Sequence, residues 1–220
     1  PVKDELSSFI LKEVQKEKLY DFLREMEFNR LLSQAISYYG EPEKKIPFIT
    51  EHNQKIELEK YTTVVKLEEL DFWINSAEES GEIVIDTETN SLNPHEAKLI
   101  GISLCIKPGK ACYIPLEHSS TKTLDKKKVL TKLKPLFEDN SVKKIGQNIK
   151  YDYIVLFHHG INLNPIEDTM LMSYTLNAGS HRHNMDELSE IHLGHKTIKY
   201  KEVVGSGKSQ ISFNQVPINL

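Results

Sequence analysis

The sequence is poor in cysteine, in arginine and in long apolar runs, and each shortage excludes a class of protein. Two cysteines, Cys105 and Cys112, are too few for a disulfide scaffold, and without a secretory signal we expect them to be reduced thiols. No apolar run approaches the length of a membrane span, and no signal peptide precedes the charged N-terminus. We therefore expect a water-soluble protein of the cytoplasm that does not bind membranes.

Positive charge is supplied almost entirely by lysine, with 25 lysines against three arginines. The net charge of −4 argues against a protein that binds nucleic acid through overall basicity. Nine lysines nevertheless lie between residues 121 and 150, and they form either a solvated helix face or a patch that faces phosphate. The only arginine after Arg30 is Arg182, where bidentate recognition of phosphate is one explanation and chance is the other.

The chain divides into three regions by pattern. Residues 1–40 carry a broken helical stripe of apolar residues and no strand signal, and residues 41–60 are polar, contain Pro42 and Pro47, and are typical of a linker. From residue 61 short β-branched runs alternate with helical patterns, which predicts an α/β domain with a mixed sheet. Strands are predicted at 62–67, 82–86, 99–106, 111–115 and 143–146, and helices at 68–80, 126–137, 149–158, 170–176 and 185–192.

Two acidic residues follow the apolar run Ile83-Val84-Ile85. Asp86 and Glu88 are one strand period apart, so both side chains project from the same face at the end of the predicted strand. Such an aspartate is often only a turn former or a helix cap. A second like charge beside it is costly unless a cation neutralises both, and carboxylates are the ligands that Mg²⁺ prefers.

A third acidic residue, Asp152, comes at the start of a predicted helix, after Gln147-Asn148-Ile149-Lys150-Tyr151. Taken alone it could simply complement the helix dipole. With Asp86 and Glu88 about 60 residues upstream, it indicates a site for phosphoryl transfer that depends on Mg²⁺ or Mn²⁺.

Other motifs are rejected. The segment Gly205-Ser206-Gly207-Lys208-Ser209 ends like a phosphate-binding P-loop, but Glu202 stands where that motif needs its first glycine. A zinc site is not expected either, because no cysteine lies near the histidines at 181, 183, 192 and 195 and their spacing matches no familiar site.

The motifs together resemble the 3′–5′ proofreading exonuclease domain of bacterial DNA polymerase I, a member of the DEDD exonuclease superfamily. Residues 86–92, Asp-Thr-Glu-Thr-Asn-Ser-Leu, are similar to its first motif, and residues 146–152, Gly-Gln-Asn-Ile-Lys-Tyr-Asp, to its second. Residues 168–171, 182–188 and 213–215 also resemble this family, while residues 22–28 resemble the end of the preceding 5′-nuclease domain.

The resemblance implies a fold, residue roles and partners. The fold is a ribonuclease H-like mixed sheet flanked by helices, with residues 1–40 as a helical remnant of the 5′-nuclease domain and 61–220 as the exonuclease domain. Asp86 would ligate both metal ions. Glu88 would ligate one of them and help to orient the attacking water, and Asp152 would hold the second. A single-stranded DNA 3′ end would be contacted by Leu92, Gln147, Asn148, Tyr151, Arg182 and Tyr200. A polymerase domain is expected in the same chain, and the fragment itself is expected to be monomeric in a bacterial, nucleoid-associated setting.

One motif of the family is missing. The third motif, Tyr-x-x-x-Asp, would supply a water-orienting tyrosine and a fourth carboxylate, but none of the nine tyrosines has aspartate four residues later. We expect a domain truncated before this motif and nearly inactive. On paper, His181 and Asp186 fit the alternative His-x-x-x-x-Asp form of a sister branch. Two other interpretations stay open, namely an RNase D-like exoribonuclease and an inactive DNA-binding module.

Overall fold

The computed structural model describes residues 10, 13–42, 61–119 and 121–218, and the chain separates into two units, 1–51 and 52–220. The first unit contains helices α1 (Lys16–Glu25) and α2 (Asn29–Tyr39), which confirms the helices predicted there. Tyr20 is fully buried in it, and its hydroxyl donates to the carbonyl of Gly40 at 2.6 Å. Residues 43–60, most of the predicted linker, lie outside the described residues.

The second unit is built on a six-stranded mixed sheet, as the alternating pattern predicts. Its spatial order is β1-β4-β3-β2-β5-β6. The central strand β2 pairs antiparallel with β3 on one side and parallel with β5 on the other. The strands are β1 (Thr62–Thr63), β2 (Glu82–Thr89), β3 (Leu99–Lys107), β4 (Lys110–Pro115), β5 (Lys143–Gly146) and β6 (Ile166–Asp168).

Within the described residues six α-helices accompany this sheet, and side-chain and glycine caps mark several of their ends. The Asp125 side chain accepts from the Lys128 N–H at 2.8 Å and starts α4, while Gly81, with φ +73°, ends α3. None of the helices in the described ranges is long and apolar enough to cross a membrane. The helices are α3 (Leu70–Ser80), α4 (Lys126–Glu138), α5 (Lys150–Phe157), α6 (Thr169–Asn177), α7 (Met185–Leu193) and α8 (Tyr200–Val204).

The core lies against one face of the sheet. Along β2, Ile83, Ile85 and Thr87 are buried, whereas the alternate positions Asp86 and Glu88 are only partly covered. The inward residues of β2, β3 and β4 join the apolar side chains of α3, α4 and α5 in one cluster. The strand period therefore sends the two carboxylates to the opposite face, away from the core.

The two cysteines are free, as expected. Cys112 is buried and Cys105 is half-buried, and no disulfide joins them. Burial raises the pKa of the Cys112 thiol to about 12, so this thiol stays protonated at neutral pH.

Four elements differ from the predicted pattern. The strand predicted at 62–67 stops after two residues, because the Glu69 carboxylate accepts from the N–H groups of Val65 and Lys66, at 3.0 and 3.2 Å, and starts a 3₁₀ turn. Strand β2 runs on to Thr89 instead of ending at Asp86, so the acidic pair lies within the strand. Strand β6 and helix α8 are not predicted, since segments of three and five residues leave too little periodicity to detect.

Phe137 at the end of α4 is fully buried, whereas Phe157 at the end of α5 is 57% exposed. Phe137→Ala should lower the free energy of unfolding by about 3–5 kcal/mol, because it removes buried apolar area and leaves a cavity. Phe157→Ala, the matched control, should cost below about 1 kcal/mol. Urea unfolding of both variants measures the difference, and equal losses would contradict this assignment of the core.

Candidate active site

Asp86 and Glu88 form a half-buried pair of like charges. Across the sheet, Asp86 lies opposite Ser103 and Glu88 opposite Gly101, so neither neighbour on β3 supplies a cation. Among the described residues no hydrogen bond or ion pair reaches either carboxylate. The pair is thus partly removed from water and left without a protein partner, an arrangement that costs free energy unless something else binds there.

Asp152, in the first turn of α5, approaches the C-terminal half of β2. Strand β5 pairs with β2 only as far as Val84, so the N–H of Thr87 further along has no strand partner on that side. The carboxylate of Asp152 takes its place: Oδ1 accepts from the Thr87 N–H at 2.7 Å and from the Thr87 hydroxyl at 2.6 Å. Asp152 is 3% exposed, and the structure places it beside the residue between Asp86 and Glu88.

Electrostatics link the three carboxylates. Burial raises the pKa of Asp86 to about 7, and the charges of Asp152 and Glu88 add to that increase. The pKa of Glu88 is raised by burial and then by Asp152, while burial raises the pKa of Asp152 in spite of its hydrogen bonds from Thr87. The site therefore carries negative charge that the protein does not compensate.

The donor chemistry of the carboxylates fits a hard divalent cation. No group of three or more His, Cys, Asp or Glu side chains in the described part of the chain is arranged to hold a metal ion. Mg²⁺ does not require one, because it keeps several waters and is commonly bound by one or two carboxylates. Asp86 and Glu88 supply two such groups without competing hydrogen bonds, with Asp152 at their side.

The turn that carries Asp152 is held by the start of α6. Asn148 adopts a left-handed conformation with φ +57°, which asparagine tolerates better than most residues. Its N–H donates to Asp168 Oδ1 at 3.0 Å, and the same oxygen caps α6 by accepting from Met170 N. Asp168 is therefore a structural part of the site, and the sequence offers for it only the short motif at 168–171.

Gln147 and Tyr151, both predicted to contact substrate, already have protein partners. The amide of Gln147 donates to the His183 carbonyl at 2.7 Å and accepts from the Thr169 hydroxyl at 2.6 Å. The Tyr151 hydroxyl bonds to the Thr89 hydroxyl and the Ser91 carbonyl. Both side chains are therefore held by hydrogen bonds within the protein.

Leu92, Arg182 and Tyr200 are exposed. Leu92 is 98% exposed, and Tyr200 stacks on Phe213 with ring centroids 6.2 Å apart. The guanidinium of Arg182 has no partner among the residues that the structure describes. Their predicted roles at the substrate stay predictions.

The alternative third motif gains no support. Asp186 accepts a hydrogen bond from the Thr197 hydroxyl, and His181 packs against His183 with ring centroids 4.8 Å apart. Within the described ranges no interaction joins Asp186 or His181 to the acidic pair.

Five of the nine lysines between residues 121 and 150 have partners within the protein. Lys126, Lys132, Lys134 and Lys143 form ion pairs with carboxylates at 2.6–3.3 Å. Lys144 is buried, and its ammonium donates to two backbone carbonyls at 2.6 Å. These five lysines are therefore satisfied within the protein.

Comparison with known families explains this geometry. The profile of a 3′–5′ exonuclease family of the DNA polymerase A type matches residues 61–218. The chain belongs to this exonuclease family. It is a family of metal-dependent nucleases, and the matched range contains all three carboxylates.

The curated relatives of this exonuclease domain are much longer proteins. DNA polymerase I of Rhizobium leguminosarum is 41% identical over 179 residues, which cover 72% of this chain and 18% of that protein. DNA polymerase I of Pseudomonas aeruginosa is 36% identical over 212 residues, which cover 94% and 23%. The chain thus spans about a fifth of the length of these relatives.

Solved structures support the exonuclease fold. Escherichia coli RNase D, described as an exoribonuclease involved in structured RNA processing, superposes with a TM-score of 0.52 and 18% sequence identity. The match covers 64% of this chain and 35% of that one. At this identity the likeness shows a shared ribonuclease H-like fold, which confirms the predicted fold class.

Asp86 should make the stability of the metal-free exonuclease domain depend on pH. The pKa of Asp86 is about 7 in the folded state, against an ordinary value of 3.8 that applies to the unfolded chain. Between about pH 4 and pH 7 the folded state therefore binds the proton more strongly, and the free energy of unfolding falls as pH rises. Asp86→Asn should therefore raise Tm at pH 8 in EDTA by about 3–6 °C and change it little at pH 4. Calorimetry on both proteins measures this.

The exposed carboxylate of Glu96 provides the control, since Glu96→Gln removes a charge away from the pair. It should leave the pH dependence of Tm as in the wild type. A wild-type Tm that climbs steadily from pH 5 to pH 8, with no gain in Asp86→Asn, would show that the pair is not under electrostatic strain.

Proposed function

We propose that this chain hydrolyses the terminal phosphodiester bond at the 3′ end of single-stranded DNA and releases nucleoside monophosphates. The observation that carries this proposal is the pair Asp86 and Glu88, partly buried, unpartnered and beside Asp152. Family membership supports it, because the relatives are DNA polymerases I that contain this exonuclease domain. In the reaction the oxygen of water bonds to phosphorus and the bond to the departing 3′-oxygen breaks.

Asp86, Glu88 and Asp152 would hold Mg²⁺ or Mn²⁺, with two ions in a complete site. A bound divalent ion would stabilise the negative charge on the oxygens of the reacting phosphate and lower the pKa of water. The raised pKa of Asp86 supports this assignment, since a cation would favour the charged carboxylate that burial disfavours.

The chain's own residues would bind and orient the substrate. Glu88 is free of hydrogen bonds with the described residues, so its carboxylate is available to orient the attacking water. Leu92 projects from the loop that Tyr151 pins, and an apolar side chain there suits contact with an unpaired base. Asn148 and Tyr200 are proposed as further contacts to the strand.

The setting of the domain is also part of the proposal. A polymerase domain in the same chain would deliver the 3′ end, residues 1–40 would be the end of a 5′-nuclease domain, and residues 41–60 a linker. The length of the relatives supports this arrangement. The protein would act as a monomer in the bacterial cytoplasm at the nucleoid.

Substitution of the carboxylates tests the site directly. Asp86→Ala, Glu88→Ala and Asp152→Ala should each weaken Mn²⁺ binding in calorimetry and reduce hydrolysis of a 5′-labelled oligonucleotide by at least about 100-fold. Since no tyrosine among the 220 residues has aspartate four positions later, we expect slow hydrolysis, so long incubations with Mn²⁺ are needed.

Asp186→Asn is the matched control and should leave both binding and rate unchanged. Loss of activity in that variant would instead make Asp186 the missing ligand. DNA and RNA oligonucleotides of one sequence should be compared in parallel, because preferred cleavage of RNA would favour an RNase D-like function. Tight DNA binding without Mn²⁺ binding or cleavage would indicate an inactive module.

Arg182 is proposed to grip a phosphate of the strand with its exposed guanidinium. Arg182→Lys should weaken binding of single-stranded DNA by about five- to tenfold, because lysine keeps the charge but loses the bidentate fork. Fluorescence anisotropy with a labelled oligonucleotide at moderate salt measures this. Arg30→Lys, at another exposed arginine, is the control and should bind like the wild type. Equal affinities in all three proteins would remove Arg182 from the site.

A further inference from the structure

Tyr113 on strand β4 lies on the same sheet face as the acidic pair. In the sheet register, Asp86 is opposite Ser103, and Ser103 is opposite Tyr113, so the three residues form one row across β2, β3 and β4. Burial raises the pKa of the Tyr113 phenol, and the charges of Glu88 and Asp86 add to that increase. Asp152 borders the pair on the β5 side, and Tyr113 borders it on the β4 side.

Gly101 directs the Tyr113 side chain toward Glu88. Gly101 is the cross-strand partner of Glu88, and a Cβ atom at this position would collide with the Tyr113 hydroxyl oxygen. The phenol therefore occupies the space that any other residue at 101 would fill. A glycine in the middle of a strand marks such a close approach.

His118 fixes the phenol in this position. The Tyr113 hydroxyl and His118 Nε2 are 2.6 Å apart, and the two rings meet edge to face with centroids 5.5 Å apart. His118 packs in turn on Phe213, and the Ser119 N–H donates to the Asn214 carbonyl at 2.9 Å. His118 thus fixes the Tyr113 hydroxyl, and among the described residues it makes no hydrogen bond to the carboxylates.

We propose that Tyr113, braced by His118, is a positioning residue of the exonuclease site that confines the side chain of Glu88. The inference rests on the proposed function, since it gives Glu88 a metal ion and a water to orient. A glutamate without hydrogen bonds would otherwise sample several rotamers, and ordering it on binding would cost side-chain entropy. The wall formed by the phenol over Gly101 removes part of that freedom in advance.

A double-mutant cycle on Mn²⁺ binding tests the brace. Tyr113→Phe and His118→Ala should each weaken Mn²⁺ binding about threefold to tenfold in calorimetry, as expected for the loss of one hydrogen bond. The double variant should be no worse than the poorer single variant, because both changes break the same bond. His118→Gln, which can still bond to the Tyr113 hydroxyl, should recover most of the affinity. Additive losses, or no loss in Tyr113→Phe, would overturn the proposal.

Two further variants separate positioning from folding. Gly101→Ala should displace the phenol and weaken Mn²⁺ binding at least as much as Tyr113→Phe, while circular dichroism shows the native secondary structure. Tyr153→Phe removes a hydroxyl bonded to Asn162 at 2.9 Å on the exposed side of α5, and it should bind Mn²⁺ like the wild type. Normal Mn²⁺ binding by folded Gly101→Ala would contradict the role of the wall.

Different variants test the proposed function and the positioning role of Tyr113. If the wild type binds no Mn²⁺, the proposed function fails and the positioning role fails with it. If the wild type binds Mn²⁺ and loses it in Asp86→Ala but not in Tyr113→Phe, only the positioning role fails. On a substrate oligonucleotide, Tyr113→Phe should lower kcat and leave KM within about twofold, because Tyr113 acts on Glu88 and not on the strand.

Discussion

The arrangement of the second unit depends on one electrostatic constraint, which is that two like charges must sit side by side on a central strand. Asp86 and Glu88 stay partly out of water with no hydrogen bond from the residues that the structure describes, and Asp152 is brought beside them by Thr87. Three features of the neighbouring elements accompany this arrangement. Strand β5 stops short of Thr87, the turn at Asn148 takes a left-handed conformation, and Gly101 leaves space for the phenol of Tyr113.

Much of this could be predicted from the sequence because the determinants are local. Period-two alternation along β2 assigns Asp86 and Glu88 to one face, and the apolar runs around the turn at Pro108-Gly109 predict the β3–β4 hairpin. The order of strands and helices predicts the mixed sheet, and a resemblance of motifs names the family that the comparison then shows. What is encoded within about ten residues can be deduced with simple rules.

The remainder depends on contacts between distant residues, which no local pattern contains. Three such contacts surround the site. Thr87 donates to Asp152, Asn148 donates to Asp168, and the phenol of Tyr113 packs over Gly101. The same limit explains the shortened β1, where the side chain of Glu69 takes the backbone donors that a longer strand would have used. The substrate contacts stay predictions, and the hydrogen bonds of Gln147 and Tyr151 within the protein are not contained in any local pattern either.

The dual use of Asp168 Oδ1 has a practical consequence for engineering. One oxygen caps α6 and also accepts from the Asn148 N–H. The conformation of the turn before Asp152 therefore depends on a residue that follows it in the chain, at the junction of β6 and α6. A transplant of residues 82–152 onto another sheet would carry all three carboxylates and still leave the turn at Asn148 without the side chain that holds it. The smallest portable unit of this candidate site therefore extends through the first turn of α6, because its boundary is set by the hydrogen bond from the Asn148 N–H to the Asp168 side chain.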